Sequence, residues 1–366
     1  MSGAVEGGVT LVVEQLRRQV PGGVGTYVRG LLAGLEALGS AAPPYRLFAS
    51  RPLRHPDPLE QLGLPLELAS LPAPAVLAAW RVGLDGVRGP GVLTHALSFS
   101  IPPSATPLVV TVHDLAWRAL PDAYPPRGRR FHEAALRAAL RRAVRLVVPS
   151  VEVAEALVAT GAEEWRVAVI AEGADHLPEP DLAGARALLT RLGVDGPFYL
   201  SVGTLEPRKN LMRLFAAYAE LRRRTTAPWP LVVIGPNGWG PDLKALPEGA
   251  VLGGRCSDGV LAGCYAMASC FVYVPLLEGF GLPVLEAMRA GTAVVASRVP
   301  SAGEAALVVD ARSVASIAEA LFDVAADPTL RGELEQAGCA QVEPLTWRAC
   351  AAAHVALWAD VVGGVR

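Results

Sequence analysis

The stretch Cys270-Phe-Val-Tyr-Val-Pro-Leu-Leu-Glu-Gly-Phe-Gly-Leu-Pro-Val-Leu-Glu-Ala-Met-Arg-Ala-Gly-Thr-Ala-Val-Val-Ala-Ser297 decides the fold class of this chain. Phe271 to Val274 is a short β-rich run. Glu278 to Leu282 is a glycine-bearing loop, and Pro283 suits the first position of a helix, where a missing N–H costs nothing. Val284 to Ala290 continues that helix, Gly291 stops it, and Thr292 to Ala296 reads as a second strand. The stretch is therefore one βαβ unit. Its loop feeds a helix N-terminus, whose free N–H groups and positive dipole end favour an anion such as phosphate. Glu278 opens the loop and Glu286 is expected in the first turn of the helix. A carboxylate repels phosphate, so both glutamates read as acceptors for hydroxyls. Phosphate donors flanked by two diol acceptors suit a nucleotide sugar. The plainer reading of Glu286 alone is a solvated first-turn residue stabilised by the dipole.

Composition narrows the classes. The 366 residues are enough for roughly two domains of about 150 residues. The chain is 52% hydrophobic with a positive mean hydropathy, so large cores can be buried. A net charge of -2 argues against a dedicated nucleic-acid binder. The five cysteines all lie in the C-terminal half, with no Cys-x-x-Cys, and read as free buried thiols in a reducing compartment. No basic segment followed by a sustained apolar run opens the chain, and no apolar run is long enough to span a bilayer, so a cytoplasmic location is expected. Lys occurs only at Lys209 and Lys244 among many Arg, which makes each Lys informative.

In chain order, Val9 to Val13 reads as a strand, Gln15 to Gly25 as a loop containing Gly22 and Gly23, and Thr26 to Leu38 as an amphipathic helix. Strand, glycine loop and helix again form a phosphate-cradling arrangement, though glycines also simply permit tight turns. Tyr45 to Ala49 and Val92 to His95 read as strands, and the Pro- and Leu-rich segment from Arg51 to Pro90 is not resolved into elements. Leu108 to Val112 is a buried strand ending in His113-Asp114. Ligands of open α/β sheets bind beyond the carboxyl ends of strands, so His113 is a candidate, against a structural His bonded to backbone. Arg129 to Arg145 reads as a helix with a basic face. That face is either solvated or turned to anionic lipid, which would put the protein at the inner face of a membrane. Strands at Arg145 to Pro149 and Arg166 to Ile170 enclose a helix over Val151 to Ala159. The linker is expected within Ala171 to Pro197. A second series follows: a strand at Phe198 to Val202, a loop Gly203-Thr-Leu-Glu-Pro-Arg-Lys-Asn210, a helix over Leu211 to Arg223, and a strand at Leu231 to Ile234. Helices are also expected over Val260 to Ala268, Ser313 to Ala325, Leu330 to Gln341 and Trp347 to Val361. Arg208 and Lys209 share a sheet edge with Glu278 to Leu282, where two cations neutralise a diphosphate and stabilise the charge that grows as the phosphate–sugar bond breaks.

These residues resemble the retaining glycosyltransferases of family 4. The string Gly203-Thr-Leu-Glu-Pro-Arg-Lys-Asn210 followed by Glu278-Gly-Phe-Gly-Leu-Pro-Val-Leu-Glu286-Ala-Met carries the likeness, with Pro21-Gly-Gly-Val-Gly-Thr-Tyr27, His113-Asp-Leu115, Val148-Pro-Ser150 and Thr346-Trp347 in support. The resemblance implies the GT-B fold, two Rossmann-like α/β domains facing across a cleft. It implies an N-terminal acceptor domain (1–175), a C-terminal nucleotide-sugar domain (176–345) and a last helix (346–366) crossing back. It implies that Glu286 holds the ribose, that Glu278 and His113 contact the sugar, and that Arg208 and Lys209 grip the diphosphate with the N–H groups of Gly281 and Leu282. Gly22 and Gly23 would lie near phosphate or acceptor, and Leu252 to Arg255 near the base. The implied reaction is metal-independent, needs no cofactor, and moves a sugar from GDP-mannose, or second a UDP-hexose, to a lipid, glycan or small molecule. Rivals are a weakly active sugar-nucleotide-binding partner protein and a nucleotide-sugar epimerase. The chain departs from the family after Ser301, where a longer segment is usual, and at Ala171-Glu-Gly173, which replaces a Pro-x-Gly turn.

Overall fold

The computed structural model describes residues 7–18, 20–53, 55–236, 238 and 246–364. The chain divides into two compact units, residues 1–173 with 347–366, and residues 174–346.

The first unit begins with β1 (Val9–Val12), α1 (Gly22–Leu38), β2 (Tyr45–Arg51), β3 (Leu66–Pro72), α2 (Ala75–Arg81), β4 (Leu93–Ala96) and β5 (Leu108–Thr111). It continues through α3 (Ala116–Ala119), α4 (Pro126–Arg142), β6 (Arg145–Val148), α5 (Val151–Val158) and β7 (Val167–Val169). The strands form one parallel sheet in the order β3-β2-β1-β4-β5-β6-β7. Val9 pairs with Tyr45 on one side and Leu93 on the other, so the strand order reverses at β1. The central strands β1, β4 and β5 are short and buried on both faces, as a sheet covered by helices on both sides requires.

The second unit holds α6 (Leu182–Arg191), β8 (Tyr199–Val202), α7 (Leu211–Arg224), β9 (Leu231–Ile234), β10 (Ala250–Gly254), α8 (Asp258–Met267) and β11 (Cys270–Tyr273). Then come α9 (Leu282–Arg289), β12 (Val294–Ala296), β13 (Leu307–Val308), α10 (Val314–Ala326) and α11 (Pro328–Val342). Its parallel sheet runs β10-β9-β8-β11-β12-β13, reversing between β8 and β11. Leu214, Tyr218, Val233, Val272, Val295 and Leu321 share one core there. The final helix, α12 (Trp347–Gly363), belongs to the first unit and lies along α1. Gly30 and Gly34 make that approach possible. A Cβ on Gly30 would stand 2.1 Å from Trp347 Cε2, and one on Gly34 would stand 2.1 Å from the Trp347 carbonyl oxygen.

Several elements differ from the sequence reading. The glycines at 22, 23 and 25 are not loop but the first turn of α1, since Gly25 N–H already reaches Pro21 O at 3.3 Å. The span expected to be linker contains α6, capped by Asp181, whose Oδ1 accepts from Gly184 N–H at 2.8 Å. Between Arg51 and Pro90 lie β3 and α2. Glu286 is the fifth residue of α9 and so sits in its second turn, outside the reach of the dipole argument. The basic helix ends at Arg142, whose guanidinium donates to Pro102 O, while Arg145 opens β6 and pairs with Asp360 at 2.9 Å. Arg127, Arg130, Arg137 and Arg141 remain exposed. The cysteines are free, but Cys339 is exposed rather than buried. Asn237 and Lys244 lie outside the described residues.

Candidate active site

In the second unit, the loops after β8 and β11 leave the sheet at the strands between which its order reverses, the place where open α/β sheets bind ligands. The β8 loop ends in a short turn over Pro207–Lys209, and Asn210 then adopts a left-handed backbone with φ 61°. Asn tolerates that conformation better than most residues because its short polar side chain bonds locally. Its Nδ2 donates to Val274 O at 2.9 Å and to Ala311 O at 2.7 Å, and Leu276 N–H donates to Arg208 O at 2.9 Å. The bonds to Val274 and from Leu276 tie the two loops together, and the one to Ala311 ties them to the segment after β13.

Arg208, Lys209 and Glu278 thereby converge. Lys209 Nζ stands 2.7 Å from Glu278 Oε1 and Arg208 Nη1 2.9 Å from the same oxygen. The Tyr273 hydroxyl donates to Oε1 at 2.9 Å and accepts from Lys209. Arg208 is also held by Glu206 at 2.9 Å and by Leu277 O at 3.2 Å. Burial works against the charge of Glu278, but Arg208 and Lys209 outweigh it and hold the carboxyl at about 2. The carboxylate is thus firmly ionised, and its partners are the two cations and the Tyr273 phenol.

Glu286 lies nearby on α9 and is also buried. Its Oε2 accepts from the Tyr265 hydroxyl at 2.7 Å and its Oε1 lies 2.9 Å from His176 Nε2. Each oxygen keeps a second lone pair, enough for two further hydroxyls. Gly281 is the N-cap of α9 at φ 108°, and a Cβ there would meet Val299 at 2.1 Å. The short segment after Ser297 packs on this loop: Ser301 donates to Gly281 O and to Phe280 O, both at 3.0 Å. Leu282 opens α9, with Pro283 second. Leu252 to Gly254 end β10 at the sheet edge, and Arg255 is exposed.

In the first unit, Gly22 and Gly23 begin α1, among the N–H groups left without an intrahelical partner. Gly22 has φ 62° and open space where a Cβ would stand. His113 lies just past β5 with Nε2 2.9 Å from Leu97 O and Nδ1 3.5 Å from Glu172 Oε1. Both ring nitrogens face protein groups, the arrangement weighed as the structural alternative. Glu172 is the middle residue of the Ala171-Glu-Gly173 turn that departs from the family's Pro-x-Gly, and it is buried. Tyr27 meets the His113 ring edge-on at 4.7 Å.

Behind His113 runs a buried chain of hydrogen bonds whose direction is fixed at both ends. Trp358 Nε1–H can only donate, and it points to His95 Nδ1 at 3.2 Å. His95 therefore carries its proton on Nε2 and donates to Thr111 Oγ1 at 2.9 Å. The Cys350 carbonyl can only accept, and it lies 2.8 Å from His354 Nδ1. His354 Nε2 must then accept from Tyr27 at 2.9 Å, and Tyr27 accepts from Thr111 at 3.1 Å. Both histidines are neutral in this arrangement. Burial drives His95 well below the usual imidazole range and His354 to about 4.

The structure thus gathers Arg208, Lys209, Glu278, Gly281, Leu282 and Glu286 within one unit, and Gly22, Gly23 and His113 within the other. Tyr265, Tyr273, His176 and Glu206 were not anticipated, because nothing in a buried Tyr of a helix or strand distinguishes a hydrogen-bonded hydroxyl from plain core.

Comparison with known proteins fits this geometry. Residues 190–340 match the model of the glycosyl transferases group 1, and residues 21–176 that of glycosyltransferase family 4. The O-antigen chain mannosyltransferase B of Escherichia coli is 31% identical over 271 residues, covering 70% of this chain and 71% of that protein. Among solved structures, sucrose-phosphate synthase from Thermosynechococcus elongatus superposes with a TM-score of 0.72 at 21% identity, covering 98% and 100% of the two chains. Anabaena HepE in complex with UDP-glucose gives 0.70 at 16% identity over 94% and 97%. The two parallel sheets are those of the GT-B glycosyltransferase fold. With one family model on each unit and a relative of this identity spanning most of both chains, the protein belongs to the group 1 glycosyltransferases of family 4.

Proposed function

We propose that the protein is a retaining hexosyltransferase using a nucleoside-diphosphate sugar, with GDP-mannose the first choice and a UDP-hexose the second. The observation that carries this reading is the convergence of Arg208 and Lys209 on Glu278 beside the N-terminus of α9, with Glu286 a few residues away. In the proposed complex the diphosphate takes the two cations and the N–H groups at Gly281 and Leu282. Glu286 offers one lone pair on each oxygen to the ribose diol, and Glu278, released from its cations, accepts from the sugar. The acceptor hydroxyl attacks the anomeric carbon from the face the phosphate leaves, and the departing phosphate takes its proton. Arg208 and Lys209 stabilise the negative charge that develops, so the mechanism asks for no metal. The mannosyltransferase relative supports mannose, and the HepE complex with UDP-glucose supports a sugar nucleotide of the same construction. The first unit is proposed to hold the acceptor, a lipid, glycan or small molecule. Transfer assays with a panel of nucleotide sugars test this, using Glu278→Gln and Lys209→Ala. Full activity in both variants overturns the site, an inverted anomeric product overturns the mechanism, and loss of activity in chelator overturns metal independence.

A further inference from the structure

The two site carboxylates share a feature that the reaction scheme does not use. Each accepts a hydrogen bond from the hydroxyl of a buried tyrosine, Glu286 from Tyr265 at 2.7 Å and Glu278 from Tyr273 at 2.9 Å. Both tyrosines pack on one ring. Phe271 lies 5.3 Å from Tyr265, edge-on, and 5.8 Å from Tyr273, stacked, and it is completely buried. Tyr273 follows Phe271 by two residues on β11, so both rings stand on the same face of the strand, and Tyr265 reaches them from α8. The hydroxyl directions are determined. A carboxylate only accepts, so each tyrosine donates to its glutamate, and an ammonium only donates, so Tyr273 accepts from Lys209.

We propose that Tyr265 and Tyr273 are positioning residues of the donor site, whose hydroxyls, spaced by Phe271 between their rings, fix the separation and orientation of Glu286 and Glu278 and so match the site to the ribose-to-sugar span of one nucleoside-diphosphate sugar. The inference rests on the glycosyltransferase reading above. Tyr265 serves the nucleotide end through Glu286. Tyr273 serves the sugar end, because it fixes both Glu278 and the ammonium of Lys209. Burial keeps both phenols protonated and therefore able to donate, with the charge of the adjacent glutamate acting in the same direction.

The test uses Tyr265→Phe and Tyr273→Phe in the full chain, which keep the rings and remove only the hydroxyls. Calorimetry with GDP and UDP gives nucleotide affinity, and transfer from the active nucleotide sugar gives kcat and KM. Tyr265→Phe is expected to weaken nucleoside diphosphate binding by about tenfold with kcat at saturating donor within about twofold, the loss of one hydrogen bond to a charged group. Tyr273→Phe is expected to lower kcat by about tenfold or more, with a smaller effect on nucleotide affinity. Phe271→Leu is expected to do both; if it does not fold, the two Phe variants decide alone. Two outcomes overturn the proposal: lowered melting temperatures with unchanged affinity and kcat, or both variants moving the same parameter by the same factor. Glu286→Gln separates the levels. If it weakens nucleotide binding and Tyr265→Phe does not, the donor site stands and the positioning role falls. If neither wild type nor any variant binds GDP or UDP, the donor reading falls and takes this inference with it.

Discussion

The one-way chain from Trp358 through His95, Thr111, Tyr27 and His354 to the Cys350 carbonyl should make the first unit acid-sensitive well above the range where carboxylates protonate. Protonating His95 puts an N–H against the Trp358 N–H, and protonating His354 puts one against the Tyr27 hydroxyl proton. A histidine whose folded pKa lies below its unfolded one stabilises the fold only while it is neutral. Its contribution is whole above the unfolded value of 6.5, shrinks as pH falls, and is gone below the folded value, which for His354 is about 4. Each proton taken up costs about 1.4 kcal/mol per pH unit inside that window. Between pH 7.5 and 5, His354 alone should therefore remove about 2 kcal/mol, a sizeable share of the ~5–15 kcal/mol typical of a folded domain. His95 adds loss in the same direction. Urea titrations across that interval measure it, with His354→Gln as the reference, since the amide oxygen can still accept from Tyr27 but does not titrate. The wild type should lose about 2 kcal/mol more than the variant. Parallel pH profiles for the two proteins would refute both the bond directions and the neutral tautomers assigned from them.

Other consequences can be measured directly. Gly34→Ala gains about 1 kcal/mol of helix propensity but drives a methyl into the Trp347 carbonyl, a backbone atom that moves only with α12, so a net loss of about 1–2 kcal/mol in denaturant titrations is expected. Asn210→Ala removes the side-chain bonds to Val274 O and Ala311 O and with them the local bonding that lets Asn hold φ 61°, and should lower both the melting temperature and kcat. Exposed Arg127, Arg130, Arg137 and Arg141 should give salt-sensitive co-sedimentation with anionic vesicles if the acceptor is a membrane lipid, and reversing two of them to Glu should abolish it.

Much of this was legible because strand, glycine loop and helix leave strong local marks. The run from Cys270 to Ser297 gave both strands and the helix between them, since Gly281, Pro283 and Gly291 punctuate it. The cationic pair was legible because Pro207 stiffens its loop and Lys is scarce. The partners of the glutamates were not. That Glu278 meets the ammonium of Lys209 as well as the Tyr273 hydroxyl follows from the side-by-side placement of β8 and β11, which are far apart in sequence. Tyr265 and Tyr273 looked like core because their rings are core, and only the hydroxyl tips differ. The register of α9 explains the misplacement of Glu286. The sequence pattern puts Pro283 at the first helical position and Glu286 in the first turn, whereas Leu282 begins the helix on a left-handed Gly281 and carries Glu286 onto the second turn, within reach of Tyr265.

Arg208 and Lys209 are balanced by Glu278 and Glu206, and this has a consequence for binding that runs against simple intuition. A diphosphate entering the site competes with a carboxylate already 2.7 Å and 2.9 Å from the two cations. The carboxylate is the stronger competitor for being ionised far below neutrality, with its carboxyl held at about 2. Glu278→Gln removes the competing charge and leaves Lys209, partly buried, without its counter-charge while Arg208 keeps Glu206, a state that binding of an anion relieves. The variant should therefore bind bare GDP or UDP more tightly than the wild type, by about tenfold, or about 1.4 kcal/mol. Its transfer rate should fall, because the sugar has lost its charged acceptor. Affinity and turnover thus move in opposite directions, which a general weakening of the site cannot produce. Calorimetry with the nucleoside diphosphate and transfer kinetics on the same preparation decide it. Weaker nucleotide binding in Glu278→Gln would mean that the carboxylate assists the diphosphate, and the exchange of partners proposed for this site would be wrong.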